Sequence, residues 1–258
     1  MNNRIFYPGG KTKALVFSYD DGQQYDRRLV EIFNKYNLKG TFNLNCSKFD
    51  EEGFITRDEI KDLYAGHEVA CHGVEHLYPN QPFREKLLYE LLDNRVSLES
   101  LTGDIVKGFA YAYGEYSDRV ISMAKELGIV YARTVNDTMG YNVPGEFMTW
   151  HPTCHHNKAF DNPALTDTFL NPPDYMELPT LFIWGHSFEF ERENTWNKME
   201  ALCEKLSNKN DIWYTTCIDY YRYITAIRNL ESNVEGSIIN NPSKTPVYIE
   251  VNDEIKII

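Results

Sequence analysis

Strand-like and helix-like segments alternate along almost the whole of this 258-residue chain, and that alternation limits the available folds more than any other feature. 'KALVFSY' has the continuous apolar character of a buried strand, and 'YDRRLVEIFNKY' brings Leu29, Ile32, Phe33 and Tyr36 to one helical face. 'GTFNLN' reads as a second strand. 'TRDEIKDLYAG' reads as a helix with Thr56 as N-cap, Glu59 completing a capping box and Gly66 as the stop. 'HEVACH' is a third strand, 'FREKLLYELLDNRVSLESLTG' one long helix, and 'VKGFAY', 'SDRVISMAKELG' and 'VYARTV' follow as strand, helix and strand. After a less regular stretch from Asn136 to Pro179 come strand 'TLFIWGH', helix 'TWNKMEALCEKLSN', strand 'IWYTT' and helix 'IDYYRYITAIRNL'. About seven such units predict an α/β protein whose parallel sheet closes, or nearly closes, into a barrel. Residues 1–230 are expected to form this domain. Residues 231–258 contain no helical pattern, and the Asn252-Asp253 turn signal predicts a small C-terminal β-hairpin.

Charge narrows the partners. A formal net charge of −12 argues against nucleic acid and anionic membrane, both of which need a surplus of Lys and Arg. No apolar run approaches the roughly 18–20 residues of a membrane helix, and the N-terminal residues lack a signal-like apolar segment. Cys46, Cys71, Cys154, Cys203 and Cys217 show no C-x-x-C spacing, so reduced thiols and a cytoplasmic location are expected.

Parallel α/β folds collect catalytic groups at the C-terminal ends of their strands. Three predicted strands end in polar groups suited to metal binding or proton transfer: 'SYDDG' with Asp20 and Asp21, 'CHGVEH' with His72 and His76, and 'TLFIWGH' with His186. Two adjacent carboxylates repel, so a nearby cation would explain them better than an ordinary strand end. His72 and His76 are four apart, and a helical turn starting at Gly73 would let both chelate one ion, although such spacing also arises by chance. Two histidines and one carboxylate leave positions open for water and substrate, as in catalytic sites.

'SYDDG' and 'HGVEH' resemble the first two motifs of the polysaccharide deacetylase family, T-F-D-D-G and H-[ST]-x-x-H, and the likeness runs from about Ala14 to Tyr221. The resemblance implies a deformed (β/α)7-type barrel and a metal-dependent hydrolase acting on an acetylated sugar. It implies that Asp21, His72 and His76 bind a divalent metal, with Zn2+ the first expectation and Co2+, Ni2+ or Fe2+ as alternatives. It makes Asp20 the general base, His186 the acid that protonates the departing amine, and the backbone N–H of Tyr113 an oxyanion donor.

The later motifs depart from the family pattern. Where the family has R-x-P-[FY] and a glycine, this chain has Ala110-Tyr111-Ala112-Tyr113-Gly114, and 'YARTVNDTMGY' shows no D-x-x-D-W. The arginine that supports the catalytic aspartate and the aspartate that holds it both lack counterparts, which implies a different support for Asp20. In the late L-x-L-H motif, Gly185 stands in place of the second leucine. 'MTWHPTCHHNKAFDN' carries His151, His155 and His156, read either as a solvated loop or as a substrate loop near the metal; a second metal site there has no acidic or cysteine spacing to support it. Trp150, His151 and Trp184 are candidate substrate contacts, since aromatic rings stack on sugar faces, while Glu189 and Glu191 read as rim or strand surface. Besides sugar N-deacetylation, hydrolysis of another small C–N amide or ureide, O-acetyl esterase activity, and a non-catalytic carbohydrate-binding barrel remain open.

Overall fold

The computed structural model describes residues 4–80, 83–251 and 254–258. A short strand β1 (Ile5–Phe6) precedes β2 (Lys13–Asp21), which is buried almost throughout because it lies in the middle of a parallel sheet. Helix α1 (Asp26–Lys35) buries Leu29, Val30, Ile32 and Phe33, and each large side chain so covered contributes about 1.5–3 kcal/mol. Next come β3 (Thr41–Leu44), α2 (Ile60–Leu63) and β4 (Glu68–Cys71). The expected Thr56/Glu59 capping box is present, but its first turn is a 3-10 helix over Arg57–Glu59.

The predicted long helix divides into α3 (Arg84–Leu88) and α4 (Asn94–Thr102), joined by a π-helical turn over Tyr89–Asp93. β5 (Gly108–Ala110), α5 (Asp118–Glu126) and β6 (Tyr131–Arg133) follow. The segment expected to be irregular contains β7 (Cys154–His155), α6 (His156–Asp161) and α7 (Pro163–Leu170). β8 (Thr180–His186) then leads straight into α8 (Ser187–Arg192), so Glu189 and Glu191 lie on a helix, not on a strand. The series continues through α9 (Trp196–Leu206), β9 (Ile212–Thr215) and α10 (Cys217–Arg228).

The sheet order is β6-β5-β4-β3-β2-β8-β7, all parallel, with β9 pairing the first half of β2 while β3 pairs its second half. This curled sheet is a deformed (β/α)7-type barrel. The stretch expected to be a solvated loop spans the gap between its ends. Trp150 exchanges backbone hydrogen bonds with Ala132 and Thr134 at the β6 edge, and Cys154 and His155 pair with Ile183 and Trp184 of β8. The segment is short and lacks strand periodicity, so its role emerges only from tertiary pairing.

The C-terminal residues form β10 (Glu231–Ser232), β11 (Ile239–Asn240), β12 (Tyr248–Val251) and β13 (Glu254–Ile257). β12 and β13 pair antiparallel; the Asn252-Asp253 turn between them lies outside the described residues. β12 also pairs with β1, and Val247 and Ile249 pack on Ala226 of α10, so this sheet is stitched to both ends of the barrel domain. Among the described residues, no helix is long and apolar enough to cross a membrane. All five cysteines are free and buried.

Asp26 links the start of α1 to the start of α8: its carboxyl oxygens accept from the hydroxyls of Ser187 and Tyr64. Burial lifts its pKa from 3.8 to about 7, against those two hydrogen bonds. The folded chain therefore holds this proton more tightly than the unfolded chain, and stability falls as pH rises between about 4 and 7. The one-group effect is on the order of 4 kcal/mol. The melting temperature of Asp26→Asn relative to wild type should accordingly climb across this window; a pH-independent difference would show that Asp26 is ionised in the fold.

Candidate active site

Asp20 and Asp21 end β2, His72 follows β4, and His186 ends β8, so strand geometry alone brings them to one rim. The register sets Asp20 beside His186 on one flank and Asn43 on the other. Asp21, His76 and Tyr113 all adopt left-handed backbone conformations, with φ of 81°, 58° and 58°. For a bulky tyrosine this is a strained conformation, the kind that concentrates at functional sites.

His72 and His76 do not share a helical turn. The chain after β4 is a loop with Gly73 at φ 90°, where a Cβ would meet Glu90 Oε2 at 2.5 Å. Buried amides fix it. Asn94 Oδ1 accepts from the backbone N–H of His72 and Gly73, and Asn45 donates to their carbonyls. Glu90, delivered by the π-turn, accepts from the N–H of Glu75 and Leu77 around His76. The two imidazoles are thus brought together by a pinned loop, their ring centroids 4.7 Å apart.

The donor set fits a metal. His72 Nδ1 lies 2.8 Å from the carbonyl oxygen of Ala110, which can only accept; Nδ1 therefore carries the proton and Nε2 presents its lone pair. That Nε2 is buried and has no hydrogen-bond partner, while lying 3.5 Å from Asp21 Oδ1; His76 Nε2 is 3.9 Å from the same oxygen. A lone pair aimed at a carboxylate oxygen is unfavourable unless a cation sits between them, and ligand bonds of about 2.0–2.2 Å reach across such separations. Burial and the neighbouring His72 lower the His76 pKa to about 4, keeping it neutral and able to ligate.

Asp20 Oδ2 also lies 3.8 Å from His72 Nε2, but the Asp20 carboxylate has its own set of partners. Asn43 Nδ2 donates to Oδ1 at 2.8 Å, and the Arg133 guanidinium forms a close ion pair with Oδ2. Arg133 ends β6, is 1% exposed, donates through Nε to Ser18 and through Nη1 to the Thr134 carbonyl, and packs under the Trp184 ring. The buried arginine that the third motif lacks is therefore supplied from the next strand. The sequence signal was available: a lone Arg ends the apolar strand 'VYARTV', on the face that collected the other polar groups. Burial would raise the Asp20 pKa, but Arg133, then His72 and His186, bring it down to about 2.

His186 Nε2 lies 4.0 Å from Asp20 Oδ2, and Nδ1 lies 3.3 Å from Glu189 Oε2, close enough for an ion pair when the ring is protonated but off hydrogen-bond alignment. Burial lowers the His186 pKa, but Glu189, Asp20 and Asp21 outweigh it and the net shift is upward. Glu189, read from sequence as rim or strand surface, was not tied to His186 because that reading hid its place at the third position of α8, three residues past His186.

The candidate substrate residues separate. Trp184 is half-buried at the rim, with Nε1 donating to Asp137. His151 is half-buried and bonds to the Thr134 hydroxyl through Nδ1. Trp150 is 2% exposed within an aromatic cluster of Tyr131, Phe147, Phe182 and Tyr220, so no sugar face can reach it. Its barrel-closing position takes it into the core. On the opposite side, Tyr113 stacks on Tyr78 and packs edge-on against His76.

Residues 8–132 match the family model described as polysaccharide deacetylase. That match spans just under half of the chain, which is similar to this family over β2 to β6. A peptidoglycan-N-acetylglucosamine deacetylase from Bacillus cereus is 25% identical to this chain over 118 residues, covering 45% of this chain and 54% of the relative. The match thus spans about half of that relative's length. Among solved structures, Puue allantoinase superposes with a TM-score of 0.65 at 15% identity, covering 84% of this chain and 91% of its own. A family 4 acetyl xylan esterase from Clostridium thermocellum gives a TM-score of 0.57 at 14% identity, covering 81% and 90%. At these identities the structural likeness is one of fold.

Proposed function

We propose that this protein is a polysaccharide-deacetylase-like, metal-dependent hydrolase that removes acetyl groups from a carbohydrate, with the N-acetyl of an amino sugar as its substrate. The observation carrying this reading is the pair of separately supported aspartates: Asp21 faces two histidines, one with an orphaned buried nitrogen, while Asp20 is tied to Arg133 and Asn43. Asp21, His72 and His76 would hold the ion. When bound, a divalent metal polarises the acetyl carbonyl and lowers the pKa of nearby water.

In this reading Asp20, ionised at any working pH, accepts the proton of the attacking water as its oxygen bonds to the carbonyl carbon. The N–H of Tyr113 donates to the developing oxyanion. His186 Nε2 gives its proton to the nitrogen as the C–N bond breaks and the bonding pair stays on nitrogen, releasing acetate and a free amine. The raised pKa of His186 favours the protonated form this step requires.

Acetate release from N-acetylated glucosamine oligomers, measured beside O-acetylated sugars and cyclic ureides, tests the proposal. Turnover confined to N-acetyl sugars is expected; hydrolysis of ureides alone would replace it with a small C–N substrate. Glu90→Ala should weaken metal affinity by about 10–100-fold through the loosened His76 loop. Competition with a coloured chelator measures it, and an unchanged affinity would show that Asn45 and Asn94 suffice.

A further inference from the structure

The Glu189 carboxylate is shared by more groups than α8 requires. Oε2 accepts from His155 Nε2 at 2.9 Å and from the backbone N–H of His186 at 3.2 Å, and lies 3.3 Å from His186 Nδ1 and 3.5 Å from His156 Nε2. Arg192 approaches the other oxygen at 3.3 Å. With burial overcome by His155 and His186, the carboxyl is held well below the usual range and stays charged.

The His155 tautomer follows from its own backbone setting. His155 caps α6, and its Nδ1 accepts from the N–H of Asn157 at 3.3 Å, so the proton sits on Nε2 and points at Glu189. This argues against a second metal among His155, His186 and Glu189, which would need Nε2 bare. His156 is buried between Tyr19 and Phe190, and burial pushes its pKa down to about 2, leaving it a neutral packing ring.

Gly185 links these histidines to the altered late motif. A Cβ at Gly185 would lie 2.1 Å from His156 Nδ1 and 3.1 Å from His155 Nε2. The space that a leucine would need at this position is filled by the two imidazoles. The glycine and the His155-His156 pair are thus one steric arrangement, laid against the base of His186.

We propose that His155 is a positioning residue for His186: by donating to Glu189 it fixes the carboxylate that orients the His186 ring toward the cleft. The inference rests on the reading of His186 as the acid in deacetylation. The charged groups facing His186 are Glu189, Asp20 and Asp21, and His155 acts on the first of these alone.

His155→Phe keeps a ring in the space and removes the donor. A misplaced acid matters when the leaving group needs a proton, so turnover of an N-acetyl sugar should fall about tenfold or more with little change in KM. Hydrolysis of p-nitrophenyl acetate, whose phenolate leaves unprotonated, should fall several-fold less. His155→Gln, which can restore an N–H to Glu189, should recover part of the loss. The 15N signals of the His186 imidazole should move in His155→Phe, at unchanged metal content. Equal losses on both substrates, or unmoved His186 signals, would overturn the proposal. If wild type cleaves neither substrate, the deacetylase reading fails, and the imidazole signals still decide whether His155 holds His186.

Discussion

Asp20→Asn is expected to lower acetate release by about 10²–10⁴-fold, the range associated with losing a positioned general base. The substitution is nearly isosteric and leaves Asp21, His72 and His76 intact. Metal content should therefore be unchanged, with the loss falling on kcat. The amide oxygen can still accept from Arg133 or Asn43, but the lost charge leaves Arg133 uncompensated, so urea unfolding should show destabilisation beside the activity loss. A variant that lost its metal as well would show that Asp20 belongs to the ion's own ligand set, and one with full activity would remove it from the chemistry.

Arg133→Ala should be the most damaging change outside the metal ligands. Arg133 and Asp20 are 1% and 3% exposed, and deleting one member of a buried pair strands the other as an uncompensated charge, at a cost of about 3–5 kcal/mol. Without the guanidinium, burial becomes the main influence on Asp20 and its pKa moves up from about 2. Urea unfolding at neutral pH should show the destabilisation, and activity should fall with it. Arg133→Lys should recover part of the stability but little activity, because one ammonium cannot serve Ser18, the Thr134 carbonyl and Asp20 from a planar fork. Wild-type stability in Arg133→Ala would mean that Asn43 alone is enough to hold Asp20.

The barrel was legible because its parts are local. Apolar runs ending in 'YDDG' and 'IWGH', and helices stopping at Gly66 and Gly103, carry their periodicity and punctuation in the sequence. The parts that stayed hidden depend on tertiary contact. Cys154 and His155 form a strand only because β8 offers an edge. Trp150 looked like a sugar platform but is drawn into the core by the same closure. The pairing of His72 with His76 was legible as a spacing, whereas its mechanism, a loop pinned by Asn45, Glu90 and Asn94, was not. Arg133 was visible as a residue; its approach to Asp20 across the barrel depends on a strand order that no local pattern states.

The most direct test is metal content and acetate release measured in one sample before and after chelation. Untagged protein should contain about one divalent ion per chain and release acetate from an N-acetylated sugar. Chelation should remove both, and readdition of Zn2+ or Co2+ should restore both. Acetate release that survives complete removal of the ion would contradict the account, as would a protein that binds no ion on reconstitution.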